Sequence, residues 1–541
     1  MSTHHATGGP PVRIRSLARR VVAGALALSS LALLTVACSE EQETGDRGII
    51  SYNGTEPQRP LVPGDATDRD TVKIVGALFT GLVEYDTDTA EPRNAVAESI
   101  TTADSRVYTI TLRPGWTFHD GSPVTATSFV DAWNHTAYGP NALQGGPYLS
   151  NIAGYSEVHA GAATEMSGLR VVDDRTFEVT LSAPLSAFPT QLGYAAYFPL
   201  PASFFADPDG SARHPIGNGP FRFASHEPGA NIVVHRYDEY GGARKPQVEG
   251  VEFRFYAALE DAYADVVAGA LDYLDFVPAD ALAGGRYKAE LPGRNLSHTY
   301  LGVQSLSFPV YDSRYADPRL RQAISMAIDR KYVVDKAFDG DKILADGLVP
   351  AKVPGHVANQ CGDLCVHDPA RARELFEATG FRGPIELSSN DDSANQVWID
   401  ATCETITAAL GRECRYAPVP TFGEFRARIN ERTMTTVFRS GWVADYPSIE
   451  NFLNPVFRTG AGVNGTGYSN PEVDALLAAA DAAPTEREGW ARYQQAERLI
   501  LADMPAIPLW FQKVQSGWST RITDVAVSQL LQLDLFAVRL A

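Results

Sequence analysis

At 541 residues the chain is too long for one ordinary hydrophobic core, so two or three domains are expected. Apolar residues make up 44% and charged residues 21%, with no low-complexity block, which is the composition of a soluble globular protein. A formal charge of −19 disfavours nucleic acid and anionic lipid as partners.

Residues 1–37 read as a separate object, a signal peptide. Arg13, Arg15, Arg19 and Arg20 form a basic stretch with no acid, and Val21 to Ala37 is apolar and small apart from Ser29, Ser30 and Thr35. A positive segment ahead of an apolar one is an export signal, with a retained membrane helix as the alternative. The run Leu34-Thr35-Val36-Ala37-Cys38 resembles a bacterial lipobox, in which the cysteine is lipidated and becomes the new N-terminus. Thr35 stands where leucine is commoner, and Arg19-Arg20 fits twin-arginine export poorly. Removing residues 1–37 takes away four arginines and no acid and leaves a charge of −23. Such a surface needs a covalent lipid at Cys38 to stay at a membrane. Residues 38–48 then form a polar, acidic, flexible tether.

Four further cysteines, Cys361, Cys365, Cys403 and Cys414, suggest two disulfides in an exported protein, with three pairings open. Short spacing favours Cys361 with Cys365 and Cys403 with Cys414. His356 and His367 are not at zinc-finger spacing, so no metal is expected.

Three helix starts are legible, because Asp317-Pro318, Asp368-Pro369 and Asn470-Pro471 each place a capping side chain before proline at the first helical position. Leu320, Ala323, Ile324, Ala327 and Ile328 fall on one helical face, and Gly380 sits where a C-terminal cap belongs. Tyr108, Ile110 and Leu112 alternate as in a strand with one buried face. This mixture of strands and helices predicts α/β domains.

Motifs for chemistry are mostly missing. There is no HExxH, P-loop or GxSxG. Gly460 to Gly465 satisfies GxGxxG, but the next helix starts only at Pro471, so no helix N-terminus faces the glycines and a glycine-rich loop is the better reading. Isolated histidines such as His119 and His235 read as surface or satisfied core residues. No cofactor and no catalytic constellation is expected.

The stretch from Leu112 to Ala126, LRPGWTFHDGSPVTA, reads as a strand end, a Pro-Gly turn, an Asp-Gly turn and a Thr125 cap for a helix carrying Phe129 and Trp133. It resembles the signature of the bacterial extracellular solute-binding proteins of family 5, the peptide and nickel binders of ABC importers. Ser128 stands where that family often has an acid, which is expected to weaken the cap. The resemblance continues through Asn53 to Pro57, Gly217-Asn218-Gly219-Pro220-Phe221, Asp317 to Arg330, Gly441-Trp442-Val443-Ala444-Asp445-Tyr446-Pro447 with Asn451-Phe452-Leu453, and Ile507-Pro508-Leu509-Trp510.

The resemblance implies an α/β, two-lobed fold of the periplasmic-binding-protein type (type II, Venus-flytrap). Lobe I is expected from 49–80, 215–301 and 512–541, an extra α/β domain inserted in it from 81–214, and lobe II from 302–511. It also implies that Asp445 meets a peptide's α-amine and that backbone of Gly441, Trp442, Val443 and Ala444 pairs with the peptide. Trp442 is expected to support that segment by packing, and Trp510 and Phe511 to wall the cleft. The ligand carboxylate is left to one of Arg426, Arg428, Arg432 and Arg439. Expected partners are a peptide, the permease subunits of an ABC importer and the outer face of the cell membrane through the lipid, with the protein a monomer. A non-peptide ligand (nickel chelate, haem or glycan) and a secreted hydrolase are the alternatives.

Overall fold

The computed structural model describes residues 48–541, so the signal peptide, Cys38 and nearly all of the tether lie outside the described residues. Local sequence signals set the helix starts. Asp317, Asp368 and Asn470 each accept a backbone N–H of the first turn, and Pro318, Pro369 and Pro471 open helices Pro318–Ala327, Pro369–Thr379 and Pro471–Asp481. Gly380 ends the second of these at φ 67°, a left-handed conformation that glycine adopts without strain. Leu320, Ala323, Ile324, Ala327 and Ile328 are all buried, so the apolar face predicted from their spacing points inward.

Residues Ala126–Ala137 form a helix capped by Thr125. Here Ser128 does not weaken the cap. Its hydroxyl accepts the Thr125 N–H at 3.1 Å and completes a capping box, doing the work of the acid it replaces. Phe129 and Trp133, one turn apart, then bury fully, and Trp133 meets Phe177 edge-on at 5.6 Å. Phe177 belongs to a four-stranded antiparallel sheet in the order Ala97–Thr102, Val107–Leu112, Thr176–Thr180, Leu169–Asp173. This small sheet lies within the segment expected as the extra domain. Its buried side chains nevertheless run continuously into those of Ile50, Val251 and Phe253, so the insertion shares one core with the lobe that carries it.

The return of the chain from that insertion depends on Gly217 and Gly219. A Cβ on Gly217 would lie 1.8 Å from the Leu78 carbonyl oxygen, and one on Gly219 would lie 2.4 Å from the Leu78 carbonyl carbon. Between them Asn218 clamps Thr80, accepting its N–H and donating to its carbonyl, each at 2.9 Å. His119 takes the Gly217 N–H at 3.1 Å and lies 3.2 Å from the Gly219 carbonyl. Burial pushes its imidazole down to about 4, so it is a neutral, satisfied core residue.

A large mixed sheet joins the two lobes. Its main path runs Cys414–Tyr416, Ile385–Ser388, Val437–Val443, Asn295–Ser307, Ala506–Trp518, Tyr273–Leu274, Ile49–Gly54, Gly250–Phe255, Asn231–Arg236, Phe221–Glu227. The two long central strands cross antiparallel between lobes. Asn295 to Thr299 pair with Gly517 to Lys513, the register then shifts, and pairing resumes at Val303 with Phe511. One core gathers around Ile50, Phe253 and Val538, and the other around Leu301, Ile324 and Ile500. Within the second lobe the structure carries two disulfides, Cys361–Cys365 with Cα atoms 5.6 Å apart and Cys403–Cys414 with Cα atoms 4.8 Å apart.

Candidate functional site

The segment Gly441 to Tyr446 leaves the end of strand Val437–Val443 and is stopped by helix Ile449–Phe457. Ser448 caps that helix by accepting the Glu450 N–H at 3.1 Å. The helix thereby delivers Asn451 back onto the segment. One side-chain oxygen of Asn451 takes both the Trp442 indole N–H at 3.0 Å and the Asp445 backbone N–H at 3.1 Å. Trp442 is therefore a supporting residue locked in orientation, and Asn451 fixes the backbone on which Asp445 sits.

Asp445 and Trp442 line a cavity of about 700 Å³. Its opposite wall comes from the first lobe and its insertion, including Thr67, Gln144, Tyr148 and Gln191. The Tyr148 hydroxyl reaches across and donates to the Asp445 carboxylate at 3.0 Å. Burial raises the Asp445 carboxyl above its ordinary value, while the bonds from Tyr148 and Asn451 pull it back down. Asp445 belongs to none of the ion pairs among the described residues, so its charge is held by neutral donors alone. Gln191 donates to the Tyr446 hydroxyl at 2.9 Å and Thr190 to Glu486 at 2.6 Å, so the two lobes meet around this cavity through polar contacts.

The strand that leads to Asp445 is paired on one side from Phe438 to Val443, in register with Ser307 to Gly302. On its other side it pairs only at Val437 and Phe438, with Leu387 and Ser388. From Arg439 to Val443 that second edge is unpaired among the described residues, and Gly441 and Val443 are exposed. An extended chain can add there as another strand. Beyond Val443 the edge is spent, because the Ala444 N–H goes to the Leu301 carbonyl at 2.8 Å and the Asp445 N–H goes to Asn451.

Trp510 and Phe511 do not join this site. Both are buried in the second-lobe core, where Trp510 packs edge-on against Trp398 at 5.3 Å and Phe338 at 5.0 Å. Their strand is central, paired along both edges by Asn295–Ser307 and Ile343–Leu344, and both side chains are buried at 2% and 4% exposure. Among the four candidate arginines, Arg428 is paired with Glu424 at 2.5 Å, on the exposed face of its helix. Arg439 has no carboxylate partner among the described residues. Its Nε is buried without an acceptor, and its nearest polar contact is the Asn390 side chain at 3.4 Å. Burial, and then the charge of Arg426, push its guanidinium below the ordinary value.

The glycine-rich loop also finds a place. Ala461, Gly462 and Val463 line the cavity, and the helix after them starts at Pro471, too late to offer its N-terminus to the glycines.

Residues 91–464 match the family described as "Bacterial extracellular solute-binding proteins, family 5 Middle". The chain belongs to this family. Family 5 members are binding proteins, and the chain is a solute-binding protein rather than an enzyme. It is 27% identical over 483 residues to the glutathione-binding protein GsiB of Pectobacterium atrosepticum, covering 86% of this chain and 89% of that one. It is also 27% identical over 483 residues to the probable deoxycholate-binding periplasmic protein YgiS of Escherichia coli, covering 86% and 88%. In fold it is similar to the unliganded open form of the periplasmic murein tripeptide binding protein MppA, with a TM-score of 0.79 over 92% of this chain and 98% of that one at 22% identity. The two-lobed family 5 fold places the cavity at Asp445 between its lobes.

Proposed function

We propose that this solute-binding protein captures peptides in the cleft at Asp445 and hands them to the permease of an ABC importer. The observation that carries the reading is a half-buried carboxylate with no ion-pair partner among the described residues, set at the end of an unpaired strand edge. A peptide supplies both missing partners. Its α-ammonium neutralises Asp445, and its backbone pairs with Arg439 to Val443 without regard to sequence. Arg439, with a donor left unmet, takes the ligand carboxylate. Six residue steps, the first four along the strand, separate Arg439 from Asp445, at most roughly 20 Å at about 3.3 Å per residue, a span suited to a short extended peptide with side-chain reach at both ends. Closure follows ligand binding as a shift between preformed open and closed states about the long crossover strands. The names of GsiB and MppA support a peptide ligand. YgiS supplies the competing reading, a non-peptide anion, which an uncompensated carboxylate in the cleft disfavours.

In the cell we place the mature protein outside the cytoplasmic membrane, monomeric and anchored through Cys38. Native mass spectrometry on protein incubated with an equimolar mixture of tripeptides to pentapeptides, glutathione and deoxycholate tests the ligand class. Retention of peptides supports the reading. Retention of deoxycholate alone overturns it.

A further inference from the structure

The cleft holds more negative charge than one peptide amine can neutralise. Its charged lining side chains are Asp445, Glu450, Asp481 and a single cation, Arg458. Arg458 is committed to Asp481, which also takes the Asn454 amide at 2.9 Å and the Tyr493 hydroxyl. Glu450, on the first turn of helix Ile449–Phe457, is only 5% exposed. The Tyr446 hydroxyl donates to one of its oxygens at 2.7 Å. It makes no ion pair among the described residues. A further acid, the half-buried Glu486, is satisfied by Ser448 and Thr190 at 2.6 Å each and likewise has no ion pair among the described residues.

We propose that Glu450 is a second cation site of the cleft, so that the preferred ligands are peptides carrying a lysine or arginine at the first or second position. This rests on the peptide reading above. Once the α-amine has discharged Asp445, Glu450 in the closed cleft must either keep a proton or stand as an unpaired buried charge, which is costly. A basic side chain removes that cost. The groups that surround Glu450 have the same bias: Asp481 and Glu486 oppose its ionisation, Tyr446, Tyr197 and Tyr493 are neutral phenols, and Arg458 is already engaged. Burial, and then Asp481, accordingly push the free carboxyl up to about 7. A cationic side chain arriving there displaces that proton to solvent, whereas a neutral side chain leaves it bound.

The test compares two pairs of tripeptides by calorimetry at pH 7: Lys-Ala-Ala against norleucine-Ala-Ala, and Ala-Lys-Ala against Ala-norleucine-Ala. In the wild type, one lysine peptide should bind at least tenfold tighter than its norleucine partner. It should also release more protons, read from the dependence of the heat on buffer ionisation. Glu450→Gln keeps an acceptor for Tyr446 and removes the charge, so it should collapse the ratio to within about threefold while the norleucine peptides keep their affinity. Equal affinities within both pairs in the wild type overturn the proposal, whatever the variant does. So does a lysine preference that survives in Glu450→Gln. Equal binding of all four peptides leaves the peptide reading standing, whereas failure of all four to bind takes down both readings.

Discussion

Replacing Asp445 with alanine removes the carboxylate proposed to meet the ligand amine and leaves an ammonium buried without a partner. Breaking a buried charge pair in this way costs about 3–5 kcal/mol, or roughly two to three and a half decades in Kd. The lower end is expected, because Tyr148 and Asn451 remain to solvate part of the site. An N-acetylated peptide lacks the charge, should bind the wild type weakly by the same argument, and should lose little more on mutation. Calorimetry with one peptide, free and acetylated, against both proteins closes a double-mutant cycle. Proton linkage gives a second readout. The free Asp445 carboxyl is raised by burial, and an ammonium lowers it, so at low pH a proton must leave before the pair forms. Affinity should therefore be full above the free-state pKa and fall as pH drops through it. A coupling energy near zero, or an affinity that rises on acidification, would show that Asp445 does not face the amine.

Four further outcomes are expected. Replacing Cys403 and Cys414 with alanine should cost about 2–3 kcal/mol in urea unfolding of the oxidised protein, because their bridge ties helix Gln396–Leu410 to the edge strand Cys414–Tyr416; an unchanged midpoint refutes this. Gly219→Ala forces a Cβ onto Leu78 and should cost about 2–4 kcal/mol, seen as a lowered melting temperature, whereas Gly229→Ala, whose Cβ meets nothing within 4 Å, should lose only the smaller penalty of its positive φ. Cys38→Ala should move the protein from the membrane fraction to the medium or leave it unprocessed, and unchanged fractionation argues against the anchor. Burial pushes Glu497 up to about 7, above its unfolded value, so the stability linked to its protonated form is whole below the unfolded pKa and is lost as pH rises through about 7. The ligand-free protein should therefore lose on the order of 2–3 kcal/mol from Glu497 between pH 5 and 8, and Glu497→Gln should flatten that profile in thermal melts.

What the sequence made legible is what local rules control. The capping Asp-Pro and Asn-Pro pairs, Gly380, the alternation through Tyr108, Ile110 and Leu112, and the family stretch around Asp445 all act within a few residues of themselves. Ser128 shows the limit of even that level, since a hydroxyl can close a capping box as an acid can. The rest depends on meetings across long separations. Tyr148 reaches Asp445 over 297 residues, and nothing near Tyr148 signals it. Asn451 was visible as part of a motif, but its role as a shared acceptor for Trp442 and Asp445 exists only once the helix turns back. Trp510 and Phe511 went astray for the converse reason. Large aromatic residues in an apolar run suit a cleft wall and a buried central strand equally well, and only the side chains packed on the sheet faces, Trp398 and Phe338 for Trp510, decide between them.

The placement of charge in the cleft is consistent across its elements. Some carboxylates of the fold are stabilised by a permanent cation, as Asp275 is by Lys73 at 2.9 Å and Asp481 is by Arg458. Asp445, half-buried, and Glu450, buried, have hydroxyl and amide donors instead. Neutral donors hold a carboxylate in position without supplying an opposite charge, so on the proposed reading the empty cleft is polarised toward a cation. A lysine or arginine built into the protein at that place would make the empty protein more stable and the ligand redundant. On the proposed reading, the missing cation is the feature that couples capture to closure, and it requires the ligand, rather than the fold, to bring the positive charge.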